Sequence, residues 1–320
     1  MARFILKRLT LGVVVLFVVS VAVFGIFFAG GDPAPRFCGK TCTPDRLAQV
    51  RHRLYLDHSL IAQYWHYLHS LIVDGNLGYS FATQASVNSI ISSGLPATAS
   101  LALGAAVVWL LASIPIGIAA ATKPRSIRDR LATVFALVGL SMPTFLVGLL
   151  LLYVLFYQLT VHAGLHWFPP AGFVPITRDP VQWFVHLILP WFTLAFVTAA
   201  SYARLTRGTM LEVLGEDYIR TARAKGLSER RVVYRHGLRS ALTPIVTLLG
   251  IDIGTLLGGT IVTEKLFGLQ GIGQSALNAQ SQGDLPVVLG TVLVGAFFIV
   301  IANIVVDILY AVLDARVRLS

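Results

Sequence analysis

Long apolar runs separated by short polar segments dominate the pattern of this chain. Six runs are long enough to cross the hydrocarbon core of a bilayer, which takes roughly 20 residues at a helical rise of about 1.5 Å per residue. Transmembrane strands instead alternate in polarity over about ten residues, so these solid apolar runs argue against a barrel. The pattern predicts an all-α membrane protein with six transmembrane helices, at about 9–29, 98–121, 132–157, 184–205, 242–263 and 286–309.

The composition also indicates that the chain lies in a lipid bilayer. Hydrophobic residues make up 56% of the chain and charged residues 12%, with a mean hydropathy of +0.75. Soluble domains carry about a quarter charged residues. The first run follows a basic start at Arg3, Lys7 and Arg8. At about 21 residues it exceeds the roughly 7–15 of a cleavable signal peptide, so we interpret it as a retained anchor.

The basic residues predict the orientation. Of the 25 Lys and Arg, 18 fall at the two termini or in the loops after the second and fourth runs, and 7 in the remaining loops. Cytoplasmic loops retain positive charge, so both termini are expected on the cytoplasmic side. The formal charge of +10 is then an orientation signal, and no nucleic-acid partner is expected. The inner segments are 1–8, 122–131, 206–241 and 310–320.

Two cysteines, Cys38 and Cys42, lie in the first predicted outer loop. An outer compartment is oxidising, which favours a local disulfide, with two free thiols as the alternative. Lys40 and its neighbours resemble a phosphate-binding loop only superficially, since Ala34 stands where that loop requires glycine. The sequence shows no other nucleotide, metal or catalytic motif. We therefore expect no enzymatic activity and no cofactor or metal on this chain.

The inner loop 206–241 has the most informative polar pattern. Gly226 is expected to end a helix in a left-handed turn, and Ser228 to cap the next helix. Two short helices joined in this way, too polar for the bilayer, predict a docking surface for a partner. The alternative is a basic loop attracted to anionic lipid. The first helix carries a stripe at helical spacing, formed by Leu211, Leu214, Tyr218 and Ala222.

Residues 218–239 read YIRTARAKGLSERRVVYRHGLR. This segment resembles the EAA loop of ABC-importer permeases, in the form found in dipeptide, oligopeptide and nickel permeases. Arg220-Thr221-Ala222 replaces the general Glu-Ala-Ala, and 236–239 replaces Ile-x-Leu-Pro; both departures are shared with the peptide branch. The resemblance covers nearly the whole chain and includes 75–80, 95–98, 264–273 and 307–318. The cysteine pair is not a feature of this family.

The resemblance implies a type I (MetI-like) ABC-importer permease fold in the inner membrane. It divides the chain into a terminus with the first helix (1–29), an extracytoplasmic region (30–97) and a core permease domain (98–320). Implied partners are a second homologous permease, two ABC ATPase subunits carrying ATP and Mg, and an extracytoplasmic substrate-binding protein. The residues implied to contact the ATPase are Tyr218, Arg220, Thr221, Ala222, Arg223, Ala224, Lys225, Gly226 and Leu227.

The fifth predicted span holds two further features. Gly250, Gly254 and Gly258 share one helix face, which predicts close helix packing, with glycines tolerated for flexibility as the alternative. Asp252 lies near the middle of that span, where a charge costs at least about 2.5–3.5 kcal/mol. We expect it to line the translocation path. A hydrogen bond in helix packing is the alternative.

By the resemblance, the expected function is ATP-driven import of peptides. The same architecture could import nickel or another small solute. An ion-driven secondary transporter typically has several ionisable residues at midplane and matched repeats, whereas only Asp252 lies deep here and the two halves show no matched repeat. A membrane scaffold that binds a soluble enzyme through 211–240 would explain the loop but leaves Asp252 and the glycine face without a role.

Overall fold

Helices account for most of the described chain. The computed structural model describes residues 2–29, 34–35, 43–53, 55–80, 82–165, 167–169, 171–258 and 260–313. The helices are α1 Ala2–Ala29, α2 Pro44–Arg53, α3 Leu60–Ile72, α4 Val87–Thr122, α5 Ile127–Ser141, α6 Thr144–Leu151, α7 Pro180–Leu214, α8 Asp217–Ala224, α9 Glu229–Arg231, α10 Leu238–Leu257, α11 Ile261–Leu266, α12 Ile272–Gln282 and α13 Leu285–Leu313. A π-helical segment, Leu152–His162, continues α6, and another, Val232–Gly237, joins α9 to α10.

Five helical stretches are each long and apolar enough to cross a membrane. The helices α5 and α6 pass the same test together, but they are bent by 101° at the break between them. Counted as one span, this pair completes the six predicted crossings. An even number of crossings returns the last helix to the side where the first begins. The five single stretches are Leu6–Ile26, Val87–Thr122, Pro180–Leu214, Glu229–Leu257 and Leu285–Val306.

Two predicted spans need correction. The third, expected as one helix over 132–157, is broken at Met142 and Pro143, and α6 starts again at Thr144. Proline lacks the amide hydrogen that would continue the helical ladder, which explains the break at this position. The fifth, expected over 242–263, ends at Leu257, and the chain continues into the separate short helix α11.

Capping residues explain where several helices begin. The Ser86 side chain accepts a hydrogen bond from the amide of Ser89 at the start of α4. Asp179 accepts from the amides of Val181 and Gln182 at the start of α7, where Pro180 occupies the first turn. Such caps supply partners for amides that the helix itself leaves unpaired. Both caps lie on the predicted outer side.

The main core lies between α4 and α7. Trp109, Leu187 and Tyr202 are buried there, together with Phe267 and Leu269 from the segment between α11 and α12. Gly104 is required by this packing, because a Cβ added to it would lie 2.0 Å from Cε2 of Trp191. The indole of Trp191 donates a hydrogen bond to the backbone oxygen of Ser100 at 2.9 Å. Small residues thus let the two spans approach closely, as expected within a bilayer.

Candidate coupling surface and buried polar contacts

The inner loop folds as a short helix held between two spans. Helix α7 ends at Leu214, α8 begins after two connecting residues, and the chain resumes as the continuous helix that starts at Glu229. Gly226 has φ +73° in the second connection. Glycine adopts this left-handed conformation without the steric cost that a Cβ brings. Ser228 precedes the new helix with an extended backbone, although its side chain makes no capping hydrogen bond.

One face of α8 is anchored to the spans. Ile219, Ala222 and Val232 form a buried cluster, against which Leu214 and Leu227 pack. The hydroxyl of Tyr218 is 3.0 Å from that of Ser240 at the start of α10. Ala222 therefore belongs to the anchor and does not lie on the open face with its neighbours. Ile219 completes the anchor and was not among the residues singled out from the sequence.

The other face of α8 is open and basic. Arg220, Thr221 and Lys225 are exposed there, and the carboxylate of Asp217 lies 3.2 Å from Arg220. Arg223 donates from Nη2 to Oε1 of Glu229 at 2.8 Å and from Nε to both carboxylate oxygens at 3.2 Å. The hydrogen bonds to Glu229 raise the pKa of the Arg223 guanidinium. Of the nine predicted contact residues, seven are exposed: Tyr218, Arg220, Thr221, Arg223, Ala224, Lys225 and Gly226.

The glycine face of α10 lies against α13. A Cβ at Gly250 would come within 1.7 Å of Cγ2 of Val306, and one at Gly254 within 3.1 Å of Cα of Ile299. Gly258 follows the last residue of α10; a Cβ added to it would lie 3.7 Å from Cα of Gly295 in α13, and a Cβ added to Gly295 would lie 3.2 Å from Cα of Gly258. All three glycines therefore lie close to α13, and Gly258 is also the C-terminal cap of α10.

Asp252 lies on the other side of α10, about 180° round the helix from the glycine face. The hydroxyl of Tyr202 on α7 donates to Oδ2 of Asp252 at 2.6 Å. The carboxylate is half-buried, whereas Tyr202 is fully buried, with its ring 5.9 Å from that of Trp109. Beside Asp252, α10 presents an exposed strip with two hydroxyls, formed by Pro244, Thr247, Ile251 and Thr255.

An ion pair missed from the sequence joins α5 to α7 near the inner side. Nε of Arg207 lies 2.5 Å from Oδ1 of Asp129, and Nη2 lies 3.1 Å from Oδ2. The amide of Arg125 also donates to Oδ2 at 2.8 Å. Asp129 is 6% exposed. Asp129 is the acidic residue of the otherwise basic inner loop 122–131. That contrast in charge is the feature of the sequence that could have indicated an ion pair.

A buried carboxylate in the outer part of the chain was also missed. Glu264 is fully buried; its Oε1 accepts from the hydroxyl of Thr98 at 2.7 Å, and its Oε2 accepts from the amide of Gln274 at 2.8 Å. The hydroxyl oxygen of Thr98 accepts from the amide of Ile272 at 2.9 Å. These bonds attach the first turn of α12 to α4. Gly271 lies against Glu264 so closely that a Cβ there would be 2.4 Å from its Cδ.

The predicted pair Cys38 and Cys42 lies outside the described residues. Its disulfide stays a prediction.

Two family models together cover most of the chain. Residues 113–319 match the family described as binding-protein-dependent transport system inner membrane component. Residues 1–102 match the N-terminal model of such membrane components.

Several curated relatives are similar over their whole length. A probable peptide ABC transporter permease of Sinorhizobium fredii is 34% identical, covering 99% of this chain and 100% of the relative. A glutathione transport system permease of Salmonella typhimurium is 37% identical, covering 99% of both chains. A putative peptide transport system permease of Brucella abortus is 39% identical over the same shares.

A solved structure shares the fold. The match is to a chain of the MetNI methionine ABC transporter in an inward-facing conformation, with a TM-score of 0.54 and 16% identity. It covers 71% of this chain and 97% of that one. At this identity the likeness concerns the fold.

Proposed function

Because the chain belongs to the family of binding-protein-dependent transport system inner membrane components, we propose that it forms one half of the membrane pathway of an ATP-driven peptide importer. The other half would come from a second, homologous permease. Two cytoplasmic ATPase subunits would hold ATP and Mg, and an extracytoplasmic binding protein would deliver cargo at the inner membrane. The proposal that the cargo is a peptide is supported by the names of two of these relatives, a probable peptide ABC transporter permease and a putative peptide transport system permease.

The observation that carries the proposal is the arrangement of α8. Its apolar face is fixed by the buried side chains of Ile219 and Val232, and its basic face is open. An ATPase subunit that bound the open face would therefore push on a helix attached at both ends to spans. The connection to α7 is two residues long and the one to the following helix is four, so displacement of α8 would be passed to α7 and α10 rather than absorbed by a flexible loop.

The open face also has the chemistry of a protein-docking surface. Arginine is enriched at protein interfaces because its planar group packs and donates several hydrogen bonds. Arg223 is held in one direction by its contacts with Glu229, so less side-chain freedom would be lost on docking. Lipid attraction alone would not require this fixed geometry or the anchored face.

We propose that the strip beside Asp252 faces the pathway. An exposed surface toward lipid is expected to be apolar, yet this strip has the hydroxyls of Thr247 and Thr255. The adjacent half-buried carboxylate would be stabilised by water in the pathway and by Tyr202. In contrast, the glycine face of α10 is already occupied by α13. The strip is centred about 90° round the helix from the glycine face, so the pathway and the intrachain packing surface would lie on adjacent sides of one helix.

Uptake by the purified complex in proteoliposomes tests the function. A labelled dipeptide, supplied with the binding protein outside, should accumulate when ATP is available to the ATPase subunits. It should not accumulate with an ion gradient alone. Uptake driven by the gradient without ATP would replace the proposal with a secondary carrier. ATP-dependent uptake of nickel but of no peptide would support the ATP-driven importer and contradict the proposal that its cargo is a peptide.

A further inference from the structure

The outer region between α1 and α4 contains a helix that packs deep against two spans. Tyr64 of α3 contacts α1 through its hydroxyl, 3.0 Å from that of Ser20, and through ring contacts with Phe17 and Phe24. Tyr67 and Leu71 pack with Val23 of α1 and with α13. The helix α3 is therefore attached to the sides of the spans and not only to connecting loops.

The depth of this contact is set by the position of the partners along α1. The membrane-crossing stretch of α1 reaches at least to Ile26, and the helix itself continues to Ala29. Ser20 lies six residues before Ile26, and Phe17 nine, which places them at least about 9 Å and about 14 Å inside the outer end of that stretch. With the amino terminus inside, these residues belong to the outer half of the bilayer. Helix α3 thus contacts α1 at the level of the outer-leaflet acyl chains.

The face of α3 turned away from the spans is apolar. Ile61, Trp65 and Ile72 lie within about 40° of one another round the helix and are 83%, 69% and 71% exposed. No Asp, Glu, Lys or Arg occurs from 59 to 73, and the nearest charged residues are Asp57 and Asp74. His58, which precedes α3, and His66 on its polar flank do not belong to this face. The ring of Tyr55 stacks on those of His58 and His66, with ring centroids 3.8 and 4.5 Å apart.

From this geometry we infer that α3 is an interfacial helix embedded in the outer leaflet, with Ile61, Trp65 and Ile72 among phospholipid acyl chains. Amphipathic helices of this kind bury an apolar face at the boundary of headgroups and acyl chains, where tryptophan is favoured. The occupant is lipid because the face continues the exposed apolar surface of α1 at the same depth, including Val18 and Val21. A water-soluble binding protein would have to enter the bilayer to cover it.

Spin-label accessibility tests this directly. Single cysteines would replace Ile61, Trp65 and Ile72 in a Cys38→Ser, Cys42→Ser background, and the labelled complex would be placed in phosphatidylcholine nanodiscs. Oxygen partitions into acyl chains, whereas a nickel chelate stays in water. We expect oxygen to relax all three labels more than nickel, as at a Val13→Cys reference in α1. A His52→Cys control in the polar helix α2 should show the opposite order, since His52 is 80% exposed.

Stronger relaxation by nickel at the three sites would place α3 in water and overturn the inference. Relaxation by neither reagent would show that protein covers the face, and would also overturn it. A measurement without cysteines guards against misfolded variants. In nanodiscs of brominated phosphatidylcholine, the tryptophan fluorescence of the wild type should be quenched more than that of Trp65→Phe. Trp167→Phe is the matched control. Equal quenching of the wild type and Trp65→Phe would contradict the inference.

Discussion

Arg223 and Glu229 face each other across the glycine turn that separates α8 from the next helix, with Nη2 and Oε1 2.8 Å apart. Both side chains are partly exposed, at 40% and 63%. Exposed ion pairs of this kind contribute only about 0–1 kcal/mol to folding. The contact is therefore better understood as orienting the arginine on the open face of α8 than as stabilising the protein. Several consequences of this arrangement can be measured.

Replacing Gly226 with alanine should weaken the transmission of movement from the ATPase subunits to the spans. The residue has φ +73°, where a Cβ costs about 1–2 kcal/mol, although nothing lies within 4 Å of the added atom. The turn would shift to relieve this strain and misplace α8, and ATP-driven uptake should fall by up to about tenfold. Gly208→Ala is the matched control, because Gly208 is helical and equally uncrowded. Equal uptake by the two variants would show that the turn geometry is unimportant.

Ile219→Ala tests the anchor without changing the open face. Loss of a buried isoleucine costs about 2–5 kcal/mol, which here would loosen α8 from the spans. We expect reduced binding of the ATPase subunits, measured by their recovery with the tagged chain. Ile272→Ala removes an equally buried side chain from α12. It should lower the melting temperature but preserve ATPase binding, and if it impaired binding as much as Ile219→Ala, the local role of the anchor would be refuted.

Asp129→Asn should destabilise the inner ends of α5 and α7. The change leaves the guanidinium of Arg207 without its charged partner, at a cost of up to about 3 kcal/mol. The melting temperature in detergent should fall. Adding Arg207→Gln removes the unpaired charge and should restore part of the loss. A double variant less stable than Asp129→Asn by the full effect of Arg207→Gln alone would show that the two residues do not interact.

Glu264 should be sensitive to even a conservative change. A glutamine can accept one hydrogen bond through its oxygen, but its amide nitrogen cannot accept from the second donor, and each unsatisfied buried donor costs about 1–3 kcal/mol. Thermal stability should therefore fall from the wild type to Glu264→Gln and again to Glu264→Ala. Lys265→Gln, at the exposed neighbouring position, serves as the control. Unchanged stability in Glu264→Gln would argue against the contacts with Thr98 and Gln274.

The crossings could be predicted from the sequence because apolar length is a local property. The angle at Pro143 could not, since a proline in a span is compatible with a mild kink or a full break, and neighbouring helices decide between them. Helix α3 was missed for a related reason. Its 13 residues are too few to cross a membrane, so the sequence pattern alone predicts only an outer loop. Only its contacts with Ser20 and Phe17 show its depth.

The inner loop 206–241 was predictable in outline because Gly226 and the spacing of its neighbours are visible in the sequence. The division of α8 into an anchored and an open face was not, as the placement of Ala222 shows. The expected stripe from Leu211 to Ala222 assumed one helix, whereas the turn at Gly215 separates two. Glu264 and Asp129 were missed because their partners, Thr98 and Arg207, are 166 and 78 residues away. Such pairings depend on tertiary packing.

Co-purification tests the central claim most directly. The tagged chain would be extracted from its native membrane in several mild detergents, and the proteins recovered with it identified by mass spectrometry. We predict recovery of ATPase chains and a second six-span permease. The variants Arg223→Ala and Gly226→Ala should recover less of the ATPase chains but as much of the second permease as the wild type, while Gly208→Ala should keep both. Recovery of the chain alone, or only with copies of itself, would contradict the account.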